Sequence, residues 1–170
     1  DAAGALAVCV ACTAGLPEPP TCCCPQCGIA TLEEGVCAQC RAAPPAFDAT
    51  WAAFSYGFPL DRLIQALKYG ERLAVAPFLA GCLAELGPFP VTALLPVPLH
   101  PQRLRERGFN QSVELACPLA RAWNLPLLLD AVVRVRHQQA AQAGLRRAQR
   151  LRNLRGAFVA RQRLEGAHVL

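Results

Sequence analysis

Six cysteines fall into three pairs with two residues between the thiols: Cys9-Val-Ala-Cys12, Cys24-Pro-Gln-Cys27 and Cys37-Ala-Gln-Cys40. That spacing lets both sulfurs reach one ion across a tight turn, and Gly28 after the second pair allows the bend. Cys24, Cys27, Cys37 and Cys40 make a complete four-thiolate set, with nine residues between its two pairs. The pattern predicts a structural Zn2+ site on two short strands, a zinc ribbon. Four thiolates leave no open position for a reacting water, which argues against a catalytic zinc. A redox dithiol and a site lost in this chain are the competing readings. Cys9 and Cys12 form a second half-site. Cys22 and Cys23 adjoin Cys24 and each other, so they are poor partners for it, and a completing pair is expected upstream of Asp1.

The second chemical signal is arginine. The chain carries +5 overall, but thirteen arginines face four acidic residues between His100 and Leu170. The residues before His100 are net acidic. Such a basic segment attracts phosphate groups, whether of a small molecule or of a nucleic acid. The chain has a single lysine, Lys68, against sixteen arginines, so part of this arginine is also read as solvated surface. Arg103, Arg105 and Arg107 alternate with Leu104 and Glu106. In a helix Arg103 and Arg107 share a face and Arg105 points away. Two guanidinium groups one turn apart can hold a diphosphate through bidentate bonds. Gly108 then permits a turn that brings backbone N–H groups and the Asn110 and Gln111 amides to the same mouth. The competing reading is a solvated basic helix capped by Gly-Phe-Asn. A second basic stretch, 144–156, reads as a loop or short helix over a charged substrate, as a nucleic-acid arm, or as a solvated face. Its candidate substrate residues are Arg147, Arg150 and Asn153, joined by His100 from the preceding strand exit. Aromatic residues do not interleave with these arginines, which weakens a base-stacking role. No P-loop, HExxH or nucleophile-elbow motif occurs.

These residues need elements to hold them. Residues 1–45 are rich in Cys, Pro and Gly and too short to bury a core, so a metal would supply their folding energy. Residues 46–170 read as a second domain. Trp51–Phe58 alternates like a strand. A helix capped by Asp61 follows to about Tyr69 and stops at Gly70. Another runs from about Leu73 to Leu86, with Pro77 in its first turn. Val91–Val97 is almost continuously apolar, as a central parallel strand would be. A helix is expected over 112–123, then strands near 132–135, 156–159 and 167–170. Strand–helix alternation predicts a parallel α/β sheet. The last strand is expected to continue past Leu170, making the domain C-terminally incomplete. No apolar stretch reaches the about 18 residues of a membrane span, and no signal peptide is read at the start. Eight of the ten cysteines lie between Cys9 and Cys40, ahead of an ordinary apolar body, which predicts a metal module on a reduced, cytoplasmic domain, with Cys82 and Cys117 as buried small hydrophobes.

Three stretches resemble the ComF family of double-zinc-ribbon, phosphoribosyltransferase-like proteins. They are the cysteine module from Cys9 to Cys40, Leu95-Pro-Val-Pro-Leu-His100 running on to Arg103–Gln111, and Gln142 to Phe158. Tyr56, Ile64, Lys68 and Tyr69 also fit. The resemblance implies a type I phosphoribosyltransferase fold behind the ribbon. It implies pyrophosphate at Arg103, Arg107, Gly108, Asn110 and Gln111, with Mg2+ and phosphoribosyl diphosphate as ligand. It also implies that an acidic pair and a Thr-Thr-Gly phosphate loop continue beyond Leu170, so these 170 residues alone are expected to be inactive. The family name, competence, implies a link to DNA uptake or utilisation. A nucleic-acid-binding zinc-ribbon protein and a non-catalytic scaffold on the same fold are the alternatives.

Overall fold

The computed structural model describes residues 8–137 and 146–170, and divides the chain into two compact units, Asp1–Leu86 and Gly87–Leu170. Residues 142–145, where the stretch Gln142 to Phe158 begins, lie outside the described residues.

Among the described residues the first unit holds four helices: α1 (Val10–Ala14), α2 (Ala38–Ala42), α3 (Leu60–Tyr69) and α4 (Val75–Ala84). Between α1 and α2 the chain forms a tight hairpin. Cys23 and Ala30 make an antiparallel bridge, and the Cys24 N–H donates to the Ile29 carbonyl at 2.9 Å. In α3, Leu60 and Leu67 are buried on one stripe, and Gly70 ends the helix by donating its N–H to the Ala66 carbonyl. The N-cap is Pro59 rather than the expected Asp61, whose carboxylate accepts from the Arg62 N–H instead. In α4, Val75, Ala76, Leu79 and Ala80 are buried, and Pro77 sits in the first turn. There its missing N–H would have had no helical partner anyway.

Trp51–Phe58 is not a strand. Its alternation has no neighbour to pair with, and Tyr56 and Phe58 are 73% and 76% exposed. The Ser55 N–H there donates to the Pro17 carbonyl at 3.1 Å.

The second unit holds α5 (Pro101–Arg107), α6 (Gln111–Trp123), β1 (Val132–Arg134), α7 (Arg147–Leu154) and β2 (Phe158–Ala160). Its centre is the apolar run 92–95, where Ala93 and Leu94 are buried. This run has parallel neighbours on both sides, bridging Leu127 through Leu94 and Val169 through Ala93. The Leu94 N–H donates to the Pro126 carbonyl at 2.9 Å and the Leu95 N–H to the Leu170 carbonyl at 2.7 Å. The Leu128 and Leu170 N–H groups return bonds to Leu94 and Ala93. Pro96 follows where no ladder bond is lost.

The parallel sheet expected from element order is met only by these single bridges. The ladder among the described residues is antiparallel, pairing Val132 with Ala160, Val133 with Val159 and Arg134 with Phe158. Its side chains are half-buried or exposed. An antiparallel ribbon tolerates water on one face, whereas parallel strands need both faces covered. Together the units make a mixed α/β chain. No helix of the described residues is long and apolar enough to cross a membrane.

Candidate metal centre and anion-binding turn

The four thiols of the predicted set converge. The Sγ atoms of Cys24, Cys27, Cys37 and Cys40 all lie within 4.8 Å of one another, and those of Cys27 and Cys37 are 3.7 Å apart. Tetrahedral coordination at about 2.3 Å would set sulfurs about 3.8 Å apart, so this donor set fits one thiolate-bound ion. Local structure explains the convergence. Gly28 adopts φ +70° after the first pair, and its N–H donates to the Cys24 carbonyl at 2.8 Å. Cys37 caps α2, which aims Cys40 back at it, and the Cys40 N–H points at the Cys37 sulfur at 3.4 Å. The Cys37 N–H points at the Cys24 sulfur at the same distance.

The amide N–H groups of Cys37 and then Cys27 favour the Cys24 thiolate and hold its pKa down to about 6. Burial, reinforced by bonds from the neighbouring thiols, pushes Cys40 up to about 12. One buried thiol, Cys24, is thus poised to ionise, and the other, Cys40, needs a cation to do so. Thr50 braces the first knuckle from outside: its N–H donates to the Pro25 carbonyl at 3.2 Å and its hydroxyl to the Gln26 carbonyl at 2.6 Å. Sequence reasoning gave no role to Thr50, because nothing in its neighbours points 24 residues back.

Cys9 and Cys12 stand apart from this set. Cys9 is exposed at the N-cap of α1, and the Cys12 amide lowers its pKa, while the side-chain bond from Cys9 raises that of Cys12. Among the described residues they meet no third ligand.

In the second unit the candidate anion-binding turn is built as a helix–glycine–helix corner. His100 caps α5 by accepting the Gln102 N–H on Nδ1 at 3.2 Å. Pro101 occupies the first helical position, where its fixed φ suits the helix. Arg103 and Arg107 are half-buried and Arg105 is exposed, the facing expected from their spacing. Gly108 ends the helix at φ +80°, a conformation that favours glycine. Arg103 donates to Glu106 at 3.0 Å and Arg107 to the Gln111 Oε1 at 2.6 Å. The Arg103 bond holds the Glu106 carboxyl below its usual range. Asn110 caps α6 with its Oδ1 and donates Nδ2 to the Val97 carbonyl at 3.0 Å. That second bond fastens the corner to the strand exit.

Asn110→Ala removes both bonds. It should lower stability by about 1–2 kcal/mol. Asn110→Asp keeps the cap and loses only the bond to Val97, so about half that loss is expected. Urea unfolding of both variants checks this, and equal stability of Asn110→Ala and the parent would refute the fastening role.

His100 and Asn110 line one cavity of about 560 Å3, together with Leu99, Asp130, Arg134 and Arg161. Burial first, then His137, Arg134 and Arg105, lower the His100 pKa, so its ring is neutral at pH 7. Asn153 lines a second cavity of about 440 Å3 with Val135, Arg136, His137 and Arg152. Arg103, Arg107, Gly108 and Gln111 line neither. Arg150 lies exposed on α7, and of Arg147 only the backbone, in the first turn of that helix, is described. Arg134, Arg136, His137 and Arg152 were not anticipated as neighbours. The one local signal was their position within or directly after the 132–135 strand and in the second basic stretch.

No family model matches the chain, and no solved structure matches it. Curated relatives do. The DNA utilization protein YhgH of Shigella flexneri is 33% identical over 156 residues, which cover 86% of this chain and 68% of that protein. YhgH of Escherichia coli strain K12 gives the same figures. Competence protein F of Haemophilus influenzae is 32% identical over 131 residues, covering 72% of this chain and 56% of that protein. The chain thus spans about two thirds of the YhgH proteins. Identity of this level over this share of both sequences, with the four-thiol cluster and the Arg103–Gln111 corner inside one chain, makes it a member of the ComF family, that of YhgH and competence protein F.

Proposed function

We propose that this chain is the phosphoribosyltransferase-like part of a ComF-family protein, that it carries structural Zn2+ on its four cysteines, and that it holds a phosphoribosyl diphosphate-type ligand at the α5–Gly108–α6 corner. The observation that carries the reading is the route of the chain. A buried run with parallel neighbours on both sides empties through Pro96–Leu99 into a helix whose half-buried face bears Arg103 and Arg107. Ligands of open α/β sheets bind beyond the carboxyl ends of parallel strands.

The chemistry assigned to these residues is electrostatic. As a diphosphate leaves the ribose carbon, negative charge grows on its oxygens. Guanidinium groups aimed there stabilise that charge more in the transition state than in the ground state. Each guanidinium has five N–H donors, so the bonds of Arg103 to Glu106 and of Arg107 to Gln111 orient the groups without exhausting them. Mg2+, when bound, would neutralise the diphosphate further. Because Glu106 is engaged by Arg103 and Gln102, that ion is read as arriving on the diphosphate, the usual habit of Mg2+. None of these residues serves as a general base, and the acceptor is left unassigned.

The runner-up is nucleic-acid binding, favoured by the arginine excess and by what the relatives are named for. Calorimetric titration of phosphoribosyl diphosphate with Mg2+ separates the two. Arg107→Ala should weaken binding by about 2 kcal/mol, roughly thirtyfold. Unchanged affinity in that variant, with salt-dependent oligonucleotide binding reduced instead, would transfer the corner to the nucleic-acid reading.

A further inference from the structure

The two cavities of the second unit adjoin. Val135 lines both. His100 from the first and His137 from the second stand against each other, with ring centroids 4.9 Å apart. Their walls differ in kind. The first cavity is mostly apolar, with Pro96, Pro98, Leu99 and Val133 as flat or branched walls and a few polar groups at its edge. One of these, Arg134, is held in place over the Phe158 ring at 5.6 Å. The second cavity is cationic and polar, walled by Arg136, His137, Arg152 and Asn153. The ion pairs of this unit, Arg103 with Glu106 and Arg163 with Glu165, leave Arg136 and Arg152 without an acidic partner among the described residues.

We propose that the two cavities form one bipartite site for a phosphate ester of a planar ring, with the ring between Leu99 and Val133 and the phosphate among Arg136, His137, Arg152 and Asn153. Ligand pockets combine apolar walls with a few convergent polar groups, and the first cavity falls in their usual range of about 300–1,000 Å3. Two guanidinium groups and an amide match a phosphate's oxygens. The carbonyl end of α7 opposes an anion, but carries only about half a charge. Arg136 already covers its Arg155 carbonyl with a bond of 2.9 Å. The neutral His100 ring continues the apolar wall up to the cationic end. A polynucleotide would need a longer open track, whereas these recesses adjoin at Val135 and the His100–His137 contact. The inference goes beyond the phosphoribosyl diphosphate reading, because Arg103 and Arg107 line neither recess.

The test is calorimetry of the full chain with three probes in Mg2+-free buffer: inorganic phosphate, phenol and phenyl phosphate. Phenyl phosphate should bind at least tenfold more tightly than phosphate. Arg152→Gln, at an exposed position, should lower phenyl phosphate affinity about tenfold. Leu129→Asn, at the exposed rim of the apolar recess, should shrink the advantage of phenyl phosphate while leaving phosphate binding intact. Phenyl phosphate binding no more tightly than phosphate overturns the proposal. So does sensitivity to Arg107→Ala with indifference to Arg152→Gln, or displacement by oligonucleotide in the absence of phenyl phosphate binding. Loss of phosphoribosyl diphosphate binding while phenyl phosphate still binds would refute only the earlier reading.

Discussion

Stripping the metal should unfold the cysteine module and leave the second unit standing. A structural zinc contributes about 10–16 kcal/mol of apparent binding energy at neutral pH, and for a segment this small that is its folding energy. The expected content is one Zn2+ per chain under reducing conditions, falling to none in Cys27→Ala. The two tryptophans separate the units. Trp51 follows Thr50, which braces the knuckle through Pro25 and Gln26. Trp123 packs edge-on against Phe89 at 5.5 Å in the other unit. A strong chelator should therefore shift Trp51 emission in a Trp123→Phe variant and leave Trp123 emission unchanged in a Trp51→Phe variant. A full zinc complement in Cys27→Ala, or no zinc in the parent, would be fatal to the assignment.

Truncating Leu94 should have the largest effect on the second unit. Its side chain is 2% exposed, and its own N–H and carbonyl make the parallel bonds to Pro126 and Leu128. Leu94→Ala keeps those backbone bonds and leaves a cavity. Such changes cost about 2–5 kcal/mol, a large part of the 5–15 kcal/mol that holds a typical domain together. Denaturant unfolding read from Trp123 should show the midpoint falling with an unchanged slope. A loss under about 1 kcal/mol would mean that Leu94 is not the centre of this core.

What could be read from sequence was local. The CxxC pairs needed only their own spacing and Gly28. The α6 helix was legible over 112–123 from its apolar face, whereas a helix through Arg103 and Arg107 was only a condition of their sharing a face, because its caps, His100 and Asn110, show themselves as caps only in the fold. Trp51–Phe58 failed because alternation describes one strand and cannot supply its neighbour. The antiparallel partnership of Val133 with Val159 failed for the same reason, since pairing direction is decided by chains far apart in sequence. His100 and His137, 37 positions apart, meet only through the fold, so the recesses on either side of them had no signature to find.

The parallel neighbours of Leu94 also set an order of assembly. The bond from the Thr92 N–H to the His168 carbonyl joins residues 76 positions apart, whereas the partner at Pro126 arrives much earlier. On a ribosome adding about 5–20 residues per second, the later partner emerges roughly 4–15 s after Thr92. From the arrival of Pro126 until that of His168, the 92–95 run has one side paired and the other open, a largely apolar exposed β-edge. The nascent protein is most vulnerable to aggregation in that window, before the chain from Val91 to Leu170 can close on itself.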